Sequence, residues 1–331
     1  MRAAWYEHRG PASEVFVVGE MPDVEPAAGE VRIRVDVSGL SPGDVKKRSG
    51  WQGAPMPFPR VIPHSDGAGM IDAVGPGVDR SRVGQRAWCY GAQSYRAFGT
   101  AAEYVTVPEA LAIELPPAGS SADDRMLAEQ AACLGIAGIT GYRAVFADGP
   151  VRGLHVLIHG ATGGVGSIAT QMAVRAGAIV IAGVRDGQQA RALELGAHHA
   201  VVTDEPDAAA QVRALAPNGV ERIAEVEFAS HIDLDADILA IGGVICTYYS
   251  AVDRPQIPYW KLGFADTTIR LLGSDDFPAT VKAHAASELT RALLDGSLRS
   301  LIAQRLPLQD IATAHDLVEH GATGRVIIDI T

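Results

Sequence analysis

The chain has 331 residues, 47% of them hydrophobic and 20% charged, with a formal net charge of −11 at pH 7. That length exceeds one ordinary core, so two domains are expected, and the balance of apolar and charged residues excludes extensive disorder. The acidic surplus also excludes non-specific binding to nucleic acid or to an anionic membrane, both of which need a basic surface. Cys89, Cys133 and Cys246 stand far apart in apolar stretches, with no C-x-x-C spacing. Neither a disulfide framework nor a cysteine metal site is predicted. The segment Met1–Glu7 has no apolar signal core, and no uncharged apolar run reaches the ~18 residues of a membrane span, so a cytoplasmic protein is expected.

Residues 1–123 are rich in glycine and proline, with short alternating runs between them. Val31–Val37 alternates at period two, as a half-buried strand does. Further strands are expected over 67–73, 83–88 and 102–107, making this half mostly β, a compact barrel or sandwich. After Pro116-Pro117 the pattern changes. Apolar strands over 155–159, 179–184, 199–202, 222–226, 243–247 and 268–273 alternate with helices over 164–176, 187–195, 207–215 and 233–240. Such alternation builds a doubly wound parallel sheet of the Rossmann kind. The tail supplies a helix (281–294), a strand near 303–306, a helix (311–320) and a strand (325–330). The expected division is a discontinuous mostly β domain, 1–123 with 275–331, and a Rossmann dinucleotide domain, 124–274.

The strand His155–His159 runs into Gly160-Ala161-Thr162-Gly163-Gly164-Val165-Gly166, and apolar residues then follow at helical spacing. Glycine permits the tight turn and lets backbone approach a pyrophosphate. The helix start then offers N–H groups and the positive end of its dipole to the anion. At the end of the second strand an NAD site generally carries a carboxylate for the ribose hydroxyl. Here Gly183 and Arg185 stand there instead, and a guanidinium favours the 2′-phosphate of NADP(H), with Asp186 directed elsewhere.

Several stretches together resemble the zeta-crystallin-like quinone oxidoreductases, the zinc-free branch of the medium-chain dehydrogenase/reductase superfamily. They are Gly39–Asp44 with Arg48–Gly50, Ser65–Gly69, Ala102–Tyr104, Gly138–Ala144, the Gly160–Gly166 turn, Gly242-Gly243, Ala314-His315 and Gly324-Arg325. The resemblance implies a GroES-like catalytic domain around a Rossmann domain, with NADP(H) in the cleft and a homodimer or homotetramer. It implies that Thr140 sits beside the nicotinamide and that Arg325 helps with the cofactor phosphates. Zinc-dependent relatives carry cysteine at Ser41 and histidine at Ser65. Hydroxyls are poor zinc ligands and His64 is one position off, so no metal is expected.

The chemistry expected is hydride transfer from NADPH to a small acceptor, a quinone or α,β-unsaturated carbonyl. Ser41, Lys46, Ser65 and His64 are the polar candidates for the acceptor oxygen and the proton. The family that the chain resembles usually has tyrosine at the position of Lys46; Lys46 and Lys47 bring positive charge there and, with Arg96, suit an anionic acid or thioester. An enoyl reductase is therefore the alternative enzyme, and a non-catalytic NADPH-binding protein, crystallin-like or redox-sensing, the alternative of another class. Tyr248 and Tyr249 follow the fifth strand near the expected nicotinamide, Ser274, Asp275 and Asp276 end the sixth, and Trp51 and Trp260 are candidate walls of the acceptor site.

Overall fold

Alternating Val31, Ile33, Val35 and Val37 turn their side chains into one core, and the strand they form is the longest of the first sheet. In the computed structural model, which describes residues 1–50, 53, 55–117, 119 and 121–330, this strand sits amid a β-rich unit. Trp51 lies outside the described residues. A hairpin of β1 (Arg2–Trp5) and β2 (Val17–Glu20), joined by α1 (Ala12–Val15), precedes β3 (Glu30–Leu40). Then come α2 (Pro42–Ser49), β4 (Asp66–Val74), β5 (Arg86–Cys89), β6 (Tyr104–Pro108), β7 (Ala112–Glu114) and α3 (Ser121–Ala131).

The next elements are α4 (Ile136–Phe146), β8 (His155–His159), α5 (Gly166–Arg175), β9 (Ile179–Val184), α6 (Gln189–Glu194), β10 (His199–Val202) and α7 (Ala208–Leu215). They are followed by β11 (Val220–Glu225), α8 (Phe228–Ile238), β12 (Leu239–Thr247), α9 (Tyr259–Phe264) and β13 (Thr268–Leu271). The chain closes with α10 (Ala279–Leu294), β14 (Ile302–Pro307), α11 (Ile311–Glu319) and β15 (Arg325–Asp329).

Two larger sheets result. One follows the order β14-β15-β3-β4-β5-β7, with β6 also pairing β3. The other is wholly parallel in the order β10-β9-β8-β11-β12-β13, which is the doubly wound order with its topological switch between β8 and β11. Apolar strand faces bury against α5 and α6 on one side and α7 and α8 on the other.

Two compact units divide the chain: Met1–Ala137, Thr280–Leu293 and residues from Ser300 onward in the first, Gly138–Ala279 with Leu294–Arg299 in the second. The first boundary thus falls at 137 rather than 123. Local bonds explain it. Arg86 pairs with Asp124 at 2.6 Å, the Ile136 N–H donates to Asp66 at 2.8 Å, and a Cβ on Gly39 would lie 2.0 Å from the Ala132 carbonyl oxygen. Residues 275–279 and 294–299 likewise stay with the second unit. Gln171 on α5 donates to the Arg299 carbonyl at 2.9 Å and accepts from its N–H at 3.0 Å.

Five described helices lie outside the expected set: the short α1 and α9, and α2, α3 and α4. Helix α2 interrupts the mostly β stretch by local rules: Ser41 is its N-cap, Pro42 its first residue, Asp44 accepts the Ser41 N–H at 2.8 Å, and Gly50 closes it at φ 86°. No described helix is long and apolar enough to cross a membrane.

Candidate functional site

In the second unit β8 delivers the chain to Gly160 at φ 62°, a left-handed conformation that suits glycine. A Cβ on Gly166 would lie 2.1 Å from the Gly160 carbonyl oxygen, so the first residue of α5 tolerates no side chain. Gly163 donates back to the same carbonyl at 2.9 Å, and Ala161 donates to the Gly183 carbonyl at 3.2 Å. Gly164 and Val165 complete the turn, and the backbone N–H groups of the α5 start make an anion cradle. Thr162 is buried and donates to the Gln188 side chain at 2.7 Å, which ties the turn to the start of α6. No motif in the sequence points to Gln188.

Gly183, near the end of β9, is closely packed: a Cβ there would meet Thr203 Cγ2 at 3.0 Å and His159 Nδ1 at 3.2 Å. Arg185 is exposed just beyond it. Asp186 is turned into its own loop, accepting from the Gly187 N–H at 2.8 Å and from Gln189 at 3.4 Å. Thr140 is buried on α4, and Gly141 beside it brings that helix against α5, where a Cβ would lie 2.9 Å from the Val165 carbonyl oxygen. Tyr248 follows β12, and burial pushes its phenol well above the ordinary value. Ser274 opens a short turn of helix after β13. Gly160, Gly183, Tyr248 and Ser274 therefore gather at the carboxyl ends of parallel strands, where such sheets bind ligands. Trp260 does not wall an enclosed site within its unit; it is exposed on α9 and stacks on Phe264.

The first unit gathers the other candidates. Ser41 and Ser65 are buried, and Ser65 Oγ has no hydrogen-bond partner among the described residues. Arg325, expected at the cofactor phosphates, is turned inward instead. It donates to Ser41 Oγ at 3.1 Å, and its guanidinium lies 3.7 Å from Asp66. Burial of the Asp66 carboxylate requires that neighbour, because an unpaired interior charge is costly. Arg96 pairs with Glu30 at 2.7 Å and donates to the Thr106 carbonyl at 3.0 Å, which removes it from the anionic-acceptor set. Lys46 and Lys47, both partly exposed, stand in the last turn of α2, where cations complement the helix dipole.

His64 is fully buried at φ 73°. The direction of its bonds follows from its neighbours. Thr100 gives its hydroxyl proton to the Asp66 carbonyl at 2.5 Å, so Ser38 must donate to Thr100 at 2.7 Å. His64 Nδ1–H then donates to Ser38 at 2.8 Å, and His64 Nε2 accepts from His315 Nε2–H at 3.1 Å. Both rings are thus held neutral. Burial and the Arg325 charge lower His64 to about 3, and burial, with His64 and Arg48 nearby, lowers His315 also. A ring so committed is no general acid at neutral pH, which corrects the expectation for His64.

These two histidines predict an acid-sensitive first unit. Their folded values lie below the ~6.5 of an unfolded histidine, so the unfolded chain takes up protons first as pH falls. The stabilisation is full above pH ~6.5 and is lost below it at about 1.4 kcal/mol per pH unit per histidine. Urea unfolding followed by the fluorescence of buried Trp88 should show a lower midpoint at pH 5 than at pH 7, and a smaller difference in His315→Phe. A midpoint independent of pH would refute this.

The zinc position of the dehydrogenases can be tested on the same geometry. Its donors here are the hydroxyls of Ser41 and Ser65, and the Arg325 guanidinium already brings positive charge to Ser41 Oγ. The residues present do not fit a divalent ion.

The family descriptions "Alcohol dehydrogenase GroES-like domain" and "Zinc-binding dehydrogenase" match residues 27–117 and 164–284. A rat quinone oxidoreductase is 30% identical over 316 residues, which span 92% of this chain and 90% of that protein. Among solved structures, an NAD-dependent alcohol dehydrogenase superposes with a TM-score of 0.86 at 26% identity, over all of both chains. A mycobacterial protein in complex with NADPH superposes with a TM-score of 0.84 at 25% identity, again over all of both chains. A parallel sheet in doubly wound order, a glycine turn at its first strand and kinship along nine-tenths of the chain lead to one conclusion: this protein belongs to the quinone oxidoreductase family of the medium-chain dehydrogenases/reductases.

Proposed function

We propose that this oxidoreductase uses NADPH to reduce a quinone or an α,β-unsaturated carbonyl, and does so without zinc. The observation that carries the reading is the Gly160–Gly166 turn at the carboxyl end of β8, with Gly183 and Arg185 at the end of β9. When bound, the nicotinamide supplies the hydride. The protein's part is to bind and to orient. The start of α5 takes the pyrophosphate, Arg185 the 2′-phosphate, and Thr140 and Tyr248 the neighbourhood of the ring. The buried hydroxyls of Ser41 and Ser65 are donors for an acceptor oxygen as it gains charge. Ser65 suits that role best, since its hydroxyl has no competing partner among the described residues. Lys46 at the end of α2 favours an acceptor with negative charge, which keeps an enoyl reductase of unsaturated acids or thioesters as the second reading.

The test is consumption of NADPH or NADH, followed by absorbance, against 1,4-benzoquinone, an enone and acryloyl-coenzyme A. Turnover of the quinone with NADPH preferred supports the first reading; turnover of the thioester alone moves the assignment to the second; silence with tight NADPH binding leaves a non-catalytic binder. Arg185→Ala is expected to raise the KM for NADPH about ten- to a hundredfold, the worth of a charge-assisted hydrogen bond, and to leave NADH unchanged. Equal losses with both cofactors would show that Arg185 does not read the phosphate.

We also propose a homodimer through the second unit. β13 is an edge strand; Leu271 on it and Ile241 on the neighbouring β12 are 77% and 85% exposed, and α9 exposes Tyr259, Trp260 and Phe264. Such an edge invites pairing. Sedimentation at the mass of one chain would remove this proposal. A cytoplasmic setting accords with three buried, unpaired cysteines.

A further inference from the structure

The second unit holds a buried polar cluster that hydride transfer does not use. His159 is the last residue of β8 and Glu225 the last of β11, and His231 and Asp235 lie one turn apart on α8. Glu225 spans the two rings, with Oε1 2.9 Å from His231 Nδ1 and Oε2 3.3 Å from His159 Nε2. Asp235 Oδ1 lies 2.8 Å from the same His159 nitrogen, and the rings stack with centroids 4.2 Å apart. The side chains of His159, Glu225 and Asp235 are wholly buried, and that of His231 is 17% exposed.

Hydrogen bonds satisfy this group only in part: Glu225 Oε1 also accepts the Glu227 N–H, and His159 Nε2 pairs with Asp235 Oδ1. His159 Nδ1, Glu225 Oε2 and Asp235 Oδ2 are buried without a hydrogen-bond partner. Both carboxylates face His159 Nε2, which has at most one proton to give. Interior carboxylates are retained where protons or a cation balance them. The donor set here, two imidazoles and a carboxylate, is that of a borderline divalent transition ion. Four ligands at ~2.0–2.1 Å around zinc stand about 3.3–3.4 Å apart at the edges of the tetrahedron. One donor atom from each of His159, Glu225 and His231 lies within 4.8 Å of the other two, so modest side-chain shifts bring the three to that spacing.

We propose that His159, Glu225 and His231 bind one divalent ion of the zinc class, with Asp235 as the neighbouring carboxylate that balances its charge. The site is separate from the zinc position at Ser41 and Ser65, and it does not depend on the identity of the acceptor. Its place gives the ion a structural task. His159 directly precedes Gly160, and its Nδ1 faces Gly183, so an ion there would pin the ends of β8 and β11 and the helix α8 beneath the dinucleotide turn.

The full chain, without an affinity tag and stripped with a chelator, would be titrated with Co(II). One equivalent should bind and produce the visible absorption of a four- or five-coordinate site, and Zn(II) should displace it and raise the thermal midpoint. His231→Ala, at the solvent edge of the cluster, should lose the band and weaken Zn(II) binding at least a hundredfold, measured by competition with a chromophoric chelator. His231→Asn, which fills more of the same space, should lose both equally. His8→Ala on the exposed surface should change neither. Absence of the band at one equivalent in the wild type, or its persistence in both His231 variants, would overturn the proposal.

Discussion

Gly166→Ala is expected to weaken NADPH binding at least a hundredfold, equivalent to about 2.7 kcal/mol or more, while the second unit still folds. The added methyl would stand 2.1 Å from the Gly160 carbonyl oxygen and 2.7 Å from its carbon, both backbone atoms. No side-chain rotation relieves such a contact, so the turn itself must open. Opening moves the N–H groups at the start of α5 away from the pyrophosphate, and charge-assisted bonds lose strength steeply with misalignment. Gly263→Ala is a fair control, since nothing lies within 4 Å of a Cβ there. Titration of NADPH fluorescence, with circular dichroism to monitor folding, gives the answer. A Kd unchanged in Gly166→Ala would mean that this turn does not hold the cofactor phosphates.

Asp66→Ala is expected to cost the first unit about 3–5 kcal/mol, the usual penalty for breaking a buried charged pair from one side. Three losses add up. The Arg325 guanidinium keeps its charge in the interior, where the Ser41 Oγ that accepts from it carries no balancing charge. The Ile136 N–H, which donates to both carboxylate oxygens at 2.8 and 3.0 Å, loses its acceptor. A void opens beside Gly135, whose Cβ position lies 2.0 Å from the carboxylate. Asp66→Asn should recover part of the loss through the Ile136 bond. Combining Arg325→Met with Asp66→Ala should recover more, by removing the stranded charge. Urea denaturation of the wild type and these three variants measures the differences; a loss below about 1 kcal/mol in Asp66→Ala would show that the pair is not what holds this region together.

The parallel sheet was legible because its strands are short apolar runs punctuated by glycine and separated by amphipathic helices, a pattern written within some 25 residues at a time. Helix α4 was not. Its sequence Ile136–Phe146 is apolar on nearly every side and holds two glycines, so it shows no stripe to read. For α2 the capping signal was present in Ser41-Pro42-Gly43-Asp44, but the glycine- and proline-rich surroundings masked it. The phosphate turn was legible for a related reason: its constraint is local, a set of glycines that each backbone approach demands. The inward turn of Arg325 and the pairing of His64 with His315 were not. Their partners lie 284 and 251 residues away, and no spacing rule joins residues brought together only by the sheet. His231 carries no local signal either, because its meeting with His159 depends on where α8 settles over β8 and β11.

The strand β15 lies between β14 and β3, with Val326 opposite Leu40 and Ile328 opposite Ser38. The strand that joins β14 to the rest of the first sheet therefore comes from a stretch of chain made long after β3. The strands of the second unit lie in one continuous stretch and can pair while the ribosome is still at work, whereas the 37–40 end of β3 must wait for a partner nearly three hundred residues later, β6 covering only its 30–34 end. Such long-range closure is slow and leaves a strand edge exposed to other chains in the meantime. Removal of β15 would thus detach β14 as well and leave the 37–40 end of β3 open on that side.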